Sequence, residues 1–287
     1  MARADHRPPG LERFDRAVLV GVGARTRTYA AMSGPGSPFA VRVLRAGVDP
    51  ERVRKTFAGG GAAVLGHPPP HLEVEGGAAH FVAPLIIGDA LSRRPKTPLP
   101  PRLATRLVLE IARALENRVH GDLHPRHVLL SGNGRARLID SDPAAPGSEG
   151  YRAPERRHGR PSSWAAEVYA VGAMWLELLT GQLPKDRPGA PFDAPRTPGP
   201  ISAALRRMLG PEPRDRFRDG DAVCVALQDC LSALPGPDVT VRAWLGSAPW
   251  RRPLFWRDTW RTLTAGGGEP TLVEGRIPPV TRRGPPR

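Results

Sequence analysis

The side chains best suited to chemistry concentrate in H-G-D-L-H-P-R-H-V-L-L at residues 120–130, followed by L-I-D-S-D at 138–142. A turn leads from Asp122 into one strand of a hairpin and the returning strand delivers Asp140, so the two carboxylates come to flank one cleft. Such a pair suits phosphoryl transfer, in which one carboxylate accepts a proton from an attacking hydroxyl while the other holds Mg2+ on a polyphosphate. Two solvated loop aspartates would read the same way in isolation. The case therefore rests on the elements that position them.

From Arg16 to about Leu91 the apolar runs are short and broken by glycine, as strands are: A-V-L-V-G-V-G, T-Y-A-A-M, F-A-V-R-V-L, H-L-E-V and H-F-V-A-P-L-I-I. One short helix interrupts them, with Asp49 as N-cap and Pro50 in its first turn, ending before Gly59, Gly60 and Gly61. From Pro101 the period changes. Leu103, Leu107, Ile111 and Leu115 repeat at helical spacing while Arg102, Arg106, Arg113 and Glu116 face away. Then come H-V-L-L and R-A-R-L-I-D, joined through Asn133-Gly134, the strongest short hairpin signal. A helix apolar on nearly all sides follows and stops at Gly181, and two more fit Ile201–Leu209 and Asp221–Leu234. The pattern is α+β: a small β-rich half, a hinge near Pro84 and a larger helical half.

The chain has 287 residues, 40% hydrophobic and 24% charged, which excludes wholesale disorder. Its 42 basic residues exceed its 28 acidic ones, for a formal charge of +14. Only Lys55, Lys96 and Lys185 are lysines, so 39 arginines are dispersed along the chain rather than gathered in a stripe, and a nucleic-acid role is disfavoured. Cys224 reads as core and Cys230 as partly exposed. They form neither a disulfide framework nor a metal site, which points to a reducing, cytoplasmic setting. No stretch approaches the length of a membrane span, so no membrane partner is expected. His67 and His71, flanking three prolines, read as loop histidines rather than ligands. Past Pro235 periodicity ends, and Trp244, Trp250, Phe255, Trp256 and Trp260 interleave with arginines, as anchors packing back on the body or as a partner-binding segment.

Residues 15–234 resemble the eukaryotic-type Ser/Thr protein kinases, carried by an ordered series of motifs. G-V-G-A-R-T-R-T-Y-A-A is similar to the glycine-rich loop, with Gly21 and Gly23 in place and Thr26 at the third glycine position. A-V-R at Ala40–Arg42 resembles A-x-K with arginine for lysine. Asp122 matches the catalytic-loop aspartate, Asp140 the metal-binding aspartate, and Ala153, Pro154 and Glu155 form an intact A-P-E. Glu167 to Gly172 resembles D-x-Y-x-x-G, and Arg216 stands where the family has the arginine that pairs with the A-P-E glutamate. The resemblance implies a bilobal kinase-like fold over residues 15–235, with an N-lobe at about 15–83, a hinge at about 84–87 and a C-lobe at about 88–235. Residues 1–14 would be a tail, and 236–287 a Pro/Arg/Trp-rich extension with a disordered end.

It also implies ATP and Mg2+ as cofactors and a protein hydroxyl as substrate. Asp122 would position and deprotonate the acceptor, with His124 at the position of the family's catalytic-loop lysine. Asp140 would hold Mg2+ with His127 at the asparagine position. Gly21, Gly23, Ala40, Arg42, Pro84 and Ile86 would line the nucleotide, adenine meeting the Pro84 carbonyl and the Ile86 N–H. Four departures count against full activity. Arg42 exchanges a compact ammonium for a planar fork; Ala58 falls at the position of the helix glutamate, with Glu51 roughly 10 Å away along the helix; His127 is a poor ligand for Mg2+; and His124 replaces a lysine. Gly121, in place of the arginine that grips a phosphorylated loop, and the short 140–155 segment argue against control by loop phosphorylation. Two readings therefore stand side by side: a protein kinase with impaired catalysis, and a pseudokinase serving as a binding or scaffold module for a protein partner. A third, a small-molecule phosphotransferase of the aminoglycoside or choline type, shares H-G-D-L-H-P but lacks A-P-E. The Glu155–Arg216 ion pair discriminates against it.

Overall fold

A computed structural model describes residues 11, 14–22, 26–33, 38–44, 71–75, 78–143, 145–183, 197–251, 258, 259 and 263. These divide into two compact units, one comprising the residues up to Leu85 with Asp258, Thr259 and Leu263, the other running from Ile86 to Arg251.

The first unit is an antiparallel sheet of β1 (Arg16–Val22), β2 (Thr26–Met32), β3 (Phe39–Leu44), β4 (His71–Glu75) and β5 (Ala78–Pro84), ordered β1-β2-β3-β5-β4. Alternation along β3 sends Val41 and Val43 inward, where they pack with Tyr29, Ala31 and Val82 and are covered by Leu11 and Phe14. A second cluster joins Ala30 and Met32 to Leu263, whose carbonyl accepts a hydrogen bond of 2.8 Å from the Arg16 guanidinium.

The second unit holds a small sheet, β6 (Asp89–Ala90), β7 (Val128–Leu130) and β8 (Ala136–Leu138), and six helices among the described residues. These are α1 (Pro101–Leu115), α2 (Pro154–Arg157), α3 (Trp164–Thr180), α4 (Gly199–Met208), α5 (Gly220–Ala233) and α6 (Val241–Gly246). In α1 proline occupies the first turn, and Leu103, Leu107, Ile111 and Leu115 face the core. Arg102 and Arg106 do not simply face water. The Arg102 guanidinium donates to the carbonyls of Leu231 (2.9 Å) and Leu234 (2.6 Å) at the end of α5, and both arginines pair with Asp238. Helix α3 is buried from Ala166 through Leu178, is capped by Ser163 and ends at Gly181 in a left-handed conformation. Gly172 lets α4 approach closely, since a Cβ there would lie 2.7 Å from that of Met208.

The cysteine expectation is reversed: Cys230 is 3% exposed and Cys224 half-buried. Val223, Leu227, Cys230 and Leu231 form the inward stripe of α5, and Cys224 lies off it. Beyond α5, residues 241–251 pack on this unit, with Val241 and Leu245 buried and Trp244 against Trp250. Arg251 pairs at 3.2 Å with Asp89, which is nearly fully buried. No helix among the described residues is long and apolar enough to cross a membrane.

Glu155 and Arg216, 61 residues apart, meet in a bidentate pair with both contacts at 2.8 Å. Arg216 also donates to the carbonyls of Ala165, Gly210 and Pro211 and lies over the Tyr169 ring. Such a pair is costly to break because the surviving charge stays buried. Arg216→Ala is therefore expected to lower stability by about 3–5 kcal/mol, read as a fall in the urea midpoint. Glu155→Gln/Arg216→Met should lose less than the sum of its single variants.

Candidate active site

The candidate loop, residues 120–127, lies between α1 and β7 and is built from its backbone outward. His120 donates from Nε2 to the Ile139 carbonyl (2.9 Å), while its Nδ1 faces the Asp122 N–H (3.4 Å). Burial foremost, then the nearby His127, lowers its pKa to about 3, so this ring stays neutral and holds the loop as a two-sided hydrogen-bonding spacer. The Gly121 N–H donates to Glu167 Oε1 of α3 at 2.7 Å, and Ser162 Oγ donates to the same oxygen. Gly121 has a φ of +87°, and a Cβ there would lie 2.1 Å from the Asp142 carbonyl oxygen. No side chain fits. Arginine is thus excluded at this position by the path of the chain after β8.

The structure brings four of the sequence-derived residues into one cluster: Asp122, His124, His127 and Asp140. Asp122 Oδ2 lies 3.6 Å from His124 Nε2 and 4.0 Å from His127 Nδ1, and His127 Nε2 lies 3.8 Å from Asp140 Oδ2. Burial alone would raise the Asp122 pKa. Hydrogen bonds from His124 and Ser148 and the charge of the imidazoles outweigh it and hold the carboxyl well below the usual carboxylate range. Asp140 has a left-handed backbone, φ 62°. That conformation is held on both sides, by Ile139 N–H donating to the His127 carbonyl and Asp142 N–H to the His120 carbonyl.

Mg2+ prefers oxygen ligands in octahedral geometry. Here Asp140 offers a carboxylate and His127 an imidazole nitrogen. The donor set fits an ion held by Asp140 and by phosphate and water oxygens, and His127 adds little to it.

The remaining residues lie elsewhere. Ala40 and Arg42 sit on β3 of the first unit, where Arg42 aligns with Thr28 and Phe81 in the neighbouring strands. Burial lowers the Arg42 pKa to about 10, leaving the side chain cationic at neutral pH. Gly21 pairs with Thr28 beside an irregularity in β1. Pro84 closes β5, and Ile86 begins the second unit. Gly23, Glu51 and Ala58 lie outside the described residues, as do His67 and Phe255, Trp256 and Trp260 of the tail.

Two supports escaped the sequence reading. Arg156, next to the A-P-E glutamate, donates to the Gly121 carbonyl (3.4 Å) and also bonds the Ala145 carbonyl, bracing the loop after Asp140. Tyr151 donates to Glu177 Oε2 of α3 at 2.5 Å. Neither contact leaves a periodic or spacing signal.

No protein-family model matches the chain. It is similar to serine/threonine-protein kinase PkaA of Streptomyces coelicolor, 34% identical over 187 residues, covering 57% of this chain and 32% of that protein. It is also similar to PknD of Mycobacterium tuberculosis, 29% identical over 169 residues, covering 47% of this chain and 26% of that protein. The chain thus spans about a third or less of the length of these relatives. Among solved structures it resembles the crystal structure of the Mycobacterium tuberculosis PknI kinase domain, with a TM-score of 0.60 and 26% identity over 78% of this chain and 99% of that one.

Burial is the dominant influence on Glu167 and raises its pKa to about 7, against the opposing hydrogen bonds from Gly121 and Ser162. A raised carboxyl pKa means the folded state holds more protons than the unfolded one, so this group removes stability as pH rises from about 4.5 through 7. Glu167→Gln keeps an acceptor for Gly121 and abolishes that slope. Relative to the parent, the variant should gain up to about 3 kcal/mol between pH 5 and pH 8, measured by denaturant unfolding at both pH values.

Proposed function

We propose that this chain, a distant member of the bacterial Ser/Thr protein kinase family, transfers the γ-phosphoryl group of ATP to a protein hydroxyl at a reduced rate. The observation that carries this reading is the cluster that joins Asp122, on the loop whose backbone is fixed by Glu167, to Asp140 just after β8. Phosphoryl transfer passes through a loose transition state and asks a protein mainly for position and charge. A carboxylate held ionised, as Asp122 is, is a weak proton acceptor and a good hydrogen-bond acceptor. Its role is to orient the attacking hydroxyl. Asp140 would hold Mg2+, which would neutralise charge on the phosphates. In this reading Gly21 and Gly23 would offer backbone N–H groups to the phosphates, Ala40 and Arg42 would line the nucleotide, and the Pro84 carbonyl and Ile86 N–H would receive adenine, Gly23 lying outside the described residues. Arg42 supplies the positive charge of the missing lysine in a broader, less compact form. His124, beside Asp122, screens its charge.

The Glu155–Arg216 pair and the likeness to a protein kinase domain favour this branch over small-molecule phosphotransferases. The scaffold reading draws on Arg42 and on the imidazole at position 127, which weaken nucleotide and metal binding without disturbing the fold.

Thermal shift with ATP, with and without Mg2+, separates these readings. A Mg2+-dependent rise in melting temperature is expected, equivalent to about 2.7 kcal/mol when ATP is a hundredfold above its Kd; Asp140→Ala should remove it and Arg42→Ala weaken it. Asp122→Asn should leave the shift and lower phosphoryl transfer roughly 10²–10⁴-fold. Absence of any shift at millimolar ATP would replace this reading with that of a binding module.

A further inference from the structure

We propose that Asp122, His124 and His127 form a binding site for a first-row transition cation of the Zn2+ type, distinct in chemistry from the Mg2+ position at Asp140. One ligand atom from each of the three residues lies within 4.8 Å of the other two. Zinc bonds of about 2.0–2.1 Å in tetrahedral geometry put ligand atoms about 3.4 Å apart. The observed separations of 3.6 Å, from Asp122 Oδ2 to His124 Nε2, and 4.0 Å, from Asp122 Oδ2 to His127 Nδ1, need only a small contraction to reach that value. Two imidazoles and one carboxylate are the donors of a catalytic zinc or non-haem iron site, and three protein ligands leave a coordination position open. A hard ion such as Mg2+ gains little from two nitrogens.

Two further observations point to a cation. Asp122 Oδ1 is buried and has no hydrogen-bond partner among the described residues, so one oxygen of this carboxylate has acceptor capacity left over for a cation. Asp140 Oδ2, 3.8 Å from His127 Nε2, is placed to accept that N–H when Nδ1 binds metal, the arrangement by which a carboxylate orients a metal-bound histidine. In the metal-free loop, hydrogen bonds occupy these positions. His127 Nδ1 donates to the Asp122 carbonyl at 2.9 Å, and His124 Nδ1 accepts from the Arg126 N–H at 3.2 Å. Metal uptake moves the His127 proton from Nδ1 to Nε2, where Asp140 can accept it, and the His124 proton from Nε2 to Nδ1, giving up both contacts. Protons compete with the metal for the same nitrogens, so binding weakens as pH falls. His124 is 8% exposed, and its ring centroid lies 4.0 Å from that of His127, so both rings are held before any metal arrives.

An ion at this site occupies the carboxylate that would orient the acceptor hydroxyl and so blocks phosphoryl transfer; that consequence rests on the phosphotransferase reading, and the site itself does not. The test is calorimetric titration of the full, tag-free chain with ZnCl2, with Co2+ absorption as an optical probe of low-coordinate geometry. One equivalent of Zn2+ should bind, undisplaced by excess Mg2+. His124→Gln and His127→Asn should each weaken it at least about tenfold and abolish the Co2+ bands, while His158→Gln, outside the cluster, should leave both unchanged. Circular dichroism verifies folding, and Asp122→Asn, nearly isosteric, makes the same comparison if a histidine variant fails to fold. Zn2+ affinity unaltered in a folded His124 or His127 variant, equal loss in His158→Gln, or no saturable binding would overturn the proposal. ATP binding is read separately by thermal shift, so failure of the metal site and failure of the kinase reading are told apart.

Discussion

The hydrogen bond from the Gly121 N–H to the buried carboxylate of Glu167 is the contact on which the candidate site depends. Helix α3 is apolar nearly all round and packed on all sides, so it is a rigid platform, and Glu167 is a polar group in its otherwise apolar first turns. A carboxylate there is costly unless it has work to do. Its partner is the backbone of the residue before Asp122, so the position of the chemically important side chain is set by a main-chain contact and does not depend on a flexible rotamer. Gly121 completes the constraint, because the chain returning from β8 passes too close for any side chain. Asp122 on one side and Asp140 on the other are thereby locked to the same short stretch of backbone.

The arginine surplus takes on a different meaning in the folded chain. Many guanidinium groups are spent on carbonyl oxygens at places where the backbone runs out of partners. Arg102 closes the end of α5, Arg152 bonds the Gly147 carbonyl, Arg156 the Ala145 carbonyl, and Arg216 three carbonyls in addition to Glu155. Even in the first unit, Arg16 bonds the carbonyl of Leu263. Five donors in a planar fork make arginine suited to this use in a way that lysine is not. These guanidinium groups thus serve the structure locally, consistent with the dispersion of arginine along the sequence.

What was legible in the sequence follows from this division of labour. Periodicity located α1, α3, α4 and α5 to within two residues, because each buries a continuous stripe, and Asn133-Gly134 placed the β7–β8 hairpin because its turn chemistry is local. The ordered motifs located Asp122, Asp140, Glu155 and Arg216. Contacts between one side chain and one distant carbonyl carry no periodic signal, and so Arg156 and the Tyr151–Glu177 bond were invisible. The cysteines were misjudged for a related reason: in a helix with apolar residues on several faces, composition alone does not say which stripe turns inward, and packing against α1 chose the one containing Cys230. The return of the chain near Leu263 to the first unit depends on a single buried leucine, too little for any pattern to register.

The substitutions at the candidate site are not all of one kind. Gly121 is required by the path of the backbone, and Glu167 performs its hydrogen bond with one more methylene than an aspartate would have. These changes preserve geometry. His124 and His127 change chemistry instead, since each puts an imidazole within about 4 Å of Asp122 where the family resemblance calls for an ammonium and an amide. An ammonium carries a permanent charge and an amide offers an oxygen; a neutral imidazole offers a nitrogen lone pair, and its charge depends on pH. The loop therefore keeps Asp122 and Asp140 in one cluster while surrounding Asp122 with nitrogen donors. The bonds that set the ends of the loop run through His120, Gly121, Ile139 and Asp142, while His124 and His127 bond its interior, to the Arg126 N–H and the Asp122 carbonyl. Each therefore serves the loop with one ring nitrogen and faces a carboxylate with the other, so scaffold and site chemistry share the same two side chains.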